Sequence, residues 1–196
     1  MPFTLGVTGG IGAGKSAALE AFRGAGAATL SSDEVVHDLY RRPEVVAAVA
    51  ERFGDDVIRA DGSVDRSQVG TRAFLGDGLR FLEQLLHPLI GTARREWIAR
   101  ELSRDPPPAL LVCEVPLLFE AGLADAFDAV VVITASEDVR RARVEARGQD
   151  FASRAAHQWS EADKVARADY AYVNDGSPDD LRAFVASVVQ GDAEVR

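Results

Sequence analysis

The sequence is poor in the residues that open several classes of function. It holds one cysteine, Cys113, in 196 residues, so no intramolecular disulfide can form. That thiol sits in the apolar run "LLVCE" and reads as buried and inert, which fits a reducing, cytoplasmic setting. Three histidines are scattered along the chain, and with a single cysteine they make no metal-ligand cluster. No apolar run approaches the length that crosses a bilayer. The N-terminus lacks the basic start and apolar stretch of a secretory signal. Positive charge is also in deficit: 22 Lys and Arg stand against 31 Asp and Glu, a net charge of −9. Such a chain is a poor partner for nucleic acid or an anionic membrane surface, although a local basic pocket for a small anion stays open. Neither N-K-x-D nor D-x-x-G occurs, which removes the elements expected of a guanine-nucleotide switch. No G-x-G-x-x-G can be read through Gly9 to Gly14, so a dinucleotide fingerprint is absent too.

What is present is concentrated near the start, in "TLGVTGGIGAGKSAALEAF". Gly9, Gly10, Ile11, Gly12, Ala13, Gly14, Lys15, Ser16 and Ala17 form or follow a G-x-x-x-x-G-K-[ST] loop. An apolar run precedes it and a helix-forming run follows, the context this motif requires. Successive backbone N–H groups wrap a phosphate only where side chains do not obstruct them, and the following helix adds its N-terminal donors. Lys15 then reaches the terminal phosphates of ATP and Ser16 offers a hydroxyl to Mg²⁺. This leaves a nucleotide-driven machine or switch, a hydrolase or a kinase. The chain is short for a motor, and a small-molecule kinase fits best. Such an enzyme needs an acceptor site, a base, and arginines over the phosphates.

The remaining sequence predicts an α/β fold. "FTLGVT" and "AATLSS" flank the first helix as strands, and Gly24 and Gly26 end that helix. A βαβ unit of this kind implies parallel strands. A mostly helical stretch follows from about Asp33 to Arg104, interrupted at "FGDDVIRADGSVDR", with His87-Pro88 placed to kink or divide its last helix. "ALLVCEVP" and "DAVVVIT" read as strands buried on both faces. "SEDVRRARVEARG" is a charged helix, "ADYAYVND" a last strand, and "SPDDLRAFVASVVQG" a capped amphipathic helix. The final "GDAEVR" is expected to fray.

Several residues could complete the site. Asp33, after the second strand, suits a base for an acceptor hydroxyl, but "SSDEVV" also opens a helix and an Asp there suits capping equally. Glu114 ends a buried strand and is placed to handle Mg²⁺; an ordinary strand-end acid is the alternative. Pro116 and Leu117 could line an acceptor pocket or simply pack. Arg140, Arg141, Arg143, Arg147 and Arg154 could clamp phosphate, though a charged helix usually presents a solvated face. His87, taken alone, reads as a half-buried histidine rather than a catalyst.

Together "GVTGGIGAGKS", "SSDEVVHDLY", "VDRSQVGTRAF", "LEQLLHPLI", "VPLLFEAGL" and "ADYAYVNDGS" resemble the dephospho-coenzyme A kinase family, in the family's order and over nearly the whole chain. The resemblance implies a three-layer α/β/α core with a five-stranded parallel sheet, made of residues 1–32, 109–138 and 166–196. It further implies a helical acceptor domain over 33–108 and a small lid over 139–165. The implied substrates are ATP and dephospho-CoA, with Mg²⁺, and a monomer or weak homo-oligomer is expected. By resemblance Asp33 is the base for the ribose 3′-hydroxyl, His87 lies in the acceptor segment, Asn174 lies near the adenine, and Arg141 and Arg154 match lid arginines. The chain departs from the family pattern at Ser31, where an aspartate is frequent, and at Ala17, where a threonine is. Its Arg147–Arg154 stretch is shorter. Another P-loop kinase acting on a nucleoside or nucleotide is the runner-up, and a non-catalytic nucleotide switch the alternative of a different class.

Overall fold

The computed structural model describes residues 2–73, 76–156 and 158–191; of the "GDAEVR" expected to fray, Gly191 caps the last helix and 192–196 lie outside the described residues. Five strands form one parallel sheet: β1 (Phe3–Thr8), β2 (Ala28–Leu30), β3 (Leu110–Glu114), β4 (Ala129–Thr134) and β5 (Tyr170–Val173), in the order β2-β3-β1-β4-β5. β1 is central because it is buried from both sides. Leu5 and Val7 face a cluster with Ala18, Leu19 and Phe22 of α1 (Lys15–Gly24) and Leu181, Val185 and Val188 of α9 (Pro178–Gln190). On the opposite face a Cβ on Gly6 would lie 2.7 Å from Leu118 Cδ1 and 2.8 Å from the Phe127 ring. All six residues of β4 are buried, as its unbroken apolar run requires.

The chain leaves β1 toward β2 on one side and crosses from β3 to β4 on the other. The carboxyl ends of β1 and β3 therefore bound the crevice where parallel sheets bind ligands. Val7 is paired with Glu114 in the β1–β3 register, which brings the start of the glycine loop and the end of β3 side by side. α9 starts as its sequence predicts: Ser177 and Asp180 form a reciprocal capping box, with Pro178 in the first turn.

Two compact units divide the described chain, one of residues 1–31 with 98–196 and one of 32–97. The first unit holds the sheet, α1, α9, and three short helices between β4 and β5: α6 (Glu137–Glu145), α7 (Phe151–Ala155) and α8 (Glu161–Val165). Residues 139–165 thus fall in the same unit as the sheet. The second holds α2 (Ser32–Leu39), α3 (Pro43–Phe53), α4 (Arg66–Ala73) and most of α5 (Gly78–Leu102). Leu39, Val45, Val49, Val57 and Val69 are among its fully buried apolar residues. α5 is not divided at His87-Pro88, contrary to one expectation; it runs 25 residues with Pro88 inside. Proline removes one N–H donor, and here it lies on an exposed stretch of the helix.

Candidate active site

The loop after β1 is shaped by what lies beneath it. Gly9 has φ +145°, and a Cβ there would stand 1.9 Å from the Ile133 carbonyl oxygen of β4. Gly14 has φ +99° and directly precedes α1, with the Asn174 amide nitrogen 2.2 Å from where a Cβ would sit. Left-handed backbone and close approach together admit only glycine at these points. The first turn of α1 contains no acidic residue, so the positive end of the helix dipole has no carboxylate of its own there. This cradle fits a phosphate group.

Side chains around the loop donate to several of its carbonyl oxygens. Lys15 Nζ donates to the carbonyls of Gly9 (2.9 Å) and Gly10 (3.0 Å). Asn174, buried at the end of β5, donates Nδ2–H to the Ala13 carbonyl at 2.9 Å. Arg143 of α6 donates to the carbonyls of Gly12 (3.3 Å), Ala13 (3.4 Å) and Asn174 (3.0 Å). Arg140, three residues earlier, donates Nε–H to the Ala135 carbonyl and lies beside Gly10 with Glu161.

Glu114 is 5% exposed at the end of β3 and accepts a hydrogen bond from the Ser31 hydroxyl at 3.1 Å. Ser31, the position where the resemblance led one to expect aspartate, thus donates to the neighbouring carboxylate; a second carboxylate there would repel it. With the Ser16 hydroxyl in the exposed first turn of α1, Glu114 supplies the all-oxygen donor chemistry that suits Mg²⁺. The chain then turns. Leu118 and Phe119 go into the core, while Pro116 and Leu117 stay half-exposed. Thr8 Oγ1 donates to the Pro116 carbonyl at 3.4 Å, which ties this turn to the residue preceding the loop.

The sequence model of the dephospho-CoA kinase family matches residues 3–180, more than nine-tenths of this architecture. The chain belongs to the dephospho-CoA kinase family. A dephospho-CoA kinase of Mycolicibacterium paratuberculosis is 41% identical over 183 residues, covering 90% of this chain but 44% of that protein. The dephospho-CoA kinase of Frankia casuarinae is 38% identical, covering 96% of this chain and 82% of its own length. Among solved structures, TT1252 from Thermus thermophilus superposes with a TM-score of 0.74 at 29% identity, covering 96% of this chain and 97% of that one. The dephospho-CoA kinase of Campylobacter jejuni shares the fold, with a TM-score of 0.65 at 23% identity and 97% of each chain covered. The chain is a kinase-family protein with a P-loop core.

Against this family's pattern, the first unit brings together the loop residues 9–17, Glu114, Pro116, Leu117 and Asn174. The Arg141 guanidinium pairs with Glu137 at 2.6 Å and stacks over Phe151 at 4.7 Å. Arg154 is exposed on α7. The arginines that meet the loop are 140 and 143. Helical phase groups Arg140 with Arg143, three residues apart, and both are half-buried where Arg141 is exposed; the fully buried Val144 does not separate them, since Arg140 and Arg141 both stand three to four residues before it. Asp33 and His87 lie in the second unit. α2 starts at Ser32, so Asp33 sits within its first turn rather than at the cap, with a side chain 76% exposed and 3.8 Å from Arg66. His87 is exposed on α5.

Sequence reasoning missed a buried charge pair. Lys164, fully buried, has its ammonium 2.9 Å from Glu120 Oε1, and the same oxygen accepts the Trp159 N–H at 2.8 Å. The lysine contact is close but poorly aligned as a hydrogen bond, and Glu120 Oε2 has no hydrogen-bond partner among the described residues. Coulomb attraction therefore carries it. Removing one partner leaves the other as an uncompensated buried charge. Lys164→Met is expected to destabilise the protein by about 3–5 kcal/mol, and adding Glu120→Gln, which keeps an oxygen for Trp159, is expected to recover most of that. Urea unfolding of the single and double variants measures both.

Proposed function

We propose that this chain transfers the terminal phosphoryl group of ATP to the ribose 3′-hydroxyl of dephospho-CoA, giving ADP and CoA, the last step of CoA synthesis. The glycine loop supports a nucleotide donor but fits many kinases. The observation that carries the acceptor is the extent of the family match, residues 3–180, which takes in the entire 32–97 helical unit as well as the loop.

In this reading the loop amides and the N-terminus of α1 hold the β-phosphate. Lys15 neutralises charge on the transferring phosphoryl group. Ser16 and Glu114 would hold Mg²⁺, which supplies charge neutralisation between the β- and γ-phosphates. Asn174 borders the nucleotide side through its hold on Ala13. Asp33 accepts the proton of the acceptor hydroxyl, His87, Pro116 and Leu117 contribute to the acceptor side, and Arg141 and Arg154 contribute from the lid segment. Among the described residues no helix is long and apolar enough to cross a membrane, and the protein works in the cytoplasm as a monomer or weak homo-oligomer.

The test is acceptor choice. Binding energy from the remote parts of an acceptor raises catalysis at the reacting hydroxyl. ADP release should therefore be far more efficient with dephospho-CoA than with adenosine or AMP, in kcat/KM. Equal use of adenosine and dephospho-CoA would overturn the assignment in favour of a nucleoside kinase.

A further inference from the structure

Gln158 lies between α7 and α8, far from the loop in sequence, and its side-chain oxygen accepts the backbone N–H of Ile11 at 2.9 Å. That N–H belongs to the same peptide unit as the Gly10 carbonyl. A trans peptide is planar, with N–H and C=O on opposite edges, so fixing one edge fixes the other. The Gly10 carbonyl is one of the two oxygens that hold the Lys15 ammonium, at 3.0 Å, and it also accepts the Ala13 N–H at 3.3 Å. The geometry points to Gln158 as a positioning residue for Lys15: it acts through the Gly10–Ile11 peptide and touches no substrate itself.

Three further observations support this assignment. Gly10 has no Cβ to resist rotation of that peptide, so the plane needs an outside anchor. The Glu161 and Arg140 side chains close over this glycine: a Cβ would stand 2.2 Å from Glu161 Oε1 and 2.9 Å from Arg140 Nη1. The anchor is itself held: the next residue, Trp159, donates its N–H to Glu120, whose charge is balanced by buried Lys164. Its ring also stacks on Phe119, with centroids 6.2 Å apart. Without the Gln158 acceptor, the Ile11 N–H is free to turn toward water, and the Gly10 carbonyl turns away from Lys15 with it.

The inference rests on the kinase reading, and its test separates the two. Gln158→Met keeps length and removes the acceptor. It should lower kcat about three- to tenfold, the worth of one backbone-orienting hydrogen bond, with the KM for dephospho-CoA and the melting temperature little changed. The deciding measurement is the same substitution made in Lys15→Ala. A residue that acts through Lys15 has nothing left to position there, so the second loss should shrink below about twofold. Gln158→Leu should give the same pattern. An equal loss in both backgrounds, an unchanged kcat in the wild-type background, or failure of both the Met and Leu variants to fold would overturn the inference. Full turnover in Lys15→Ala alone would instead overturn the phosphate-loop reading on which it stands.

Discussion

Lys15→Ala should retain its fold and lose turnover by about 10²–10³, the range for removing one preorganised electrostatic donor from a charged transition state. Phosphoryl transfer leaves little covalent work for the protein, so positioning and charge stabilisation supply most of the rate. Lys15, to which the proposed reaction gives that role, donates to two loop carbonyls, at 2.9 and 3.0 Å. These bonds are local, and Lys15 is only half-buried, so its truncation should leave thermal unfolding close to wild type. The pair of measurements is turnover and melting temperature. A folded variant with normal turnover would refute the role given to the loop.

Asp33→Asn should lower kcat by roughly 10²–10⁴, as loss of a general base does. The low end is expected, since a loose phosphoryl-transfer transition state asks less of a base. Structure sharpens the stability side of this prediction. Asp33 is inside the first turn of α2, and its ion pair with Arg66 is exposed and 3.8 Å long; such pairs contribute little. Asn should therefore melt with wild type, and Ala should cost only about 0.5 kcal/mol through the lost dipole interaction, rather than the larger amount expected of a true cap. ATP affinity should stay constant in both. Wild-type turnover in the Asn variant would leave Asp33 as a first-turn carboxylate and make Glu114 the next residue to test.

The parts of this molecule governed by local rules were legible in its sequence. The glycine loop, the strand before it and the helix after it are specified within one stretch, and the Ser177–Asp180 capping box is a four-residue signal. Buried strands β3 and β4 announce themselves as apolar runs. The parts governed by distant partners were not. Gln158 meets Ile11 across 147 positions, and Lys164 meets Glu120 through a tertiary fold that no local pattern encodes. The choice among Arg140, Arg141 and Arg143 depends on which way α6 is rotated against the loop, and only the tertiary contacts of Arg140 and Arg143 fix that. α5 likewise passes through Pro88 although an interior proline removes a donor and crowds the preceding turn, so the local signal to divide is outweighed by the rest of a helix of 25 residues.

The sequence contains only two lysines, at 15 and 164, and the rest of its side-chain cations are arginines. Arginine is charged at any pH the folded protein meets and does not act as a nucleophile there. Lys164 is sealed from solvent. The folded protein consequently offers a single reachable side-chain amine to acylating or aldehyde chemistry, and that amine is the one in the phosphate loop. Lysine-directed labelling of the folded chain is therefore concentrated in the phosphate loop, and a nucleotide bound there would compete with it.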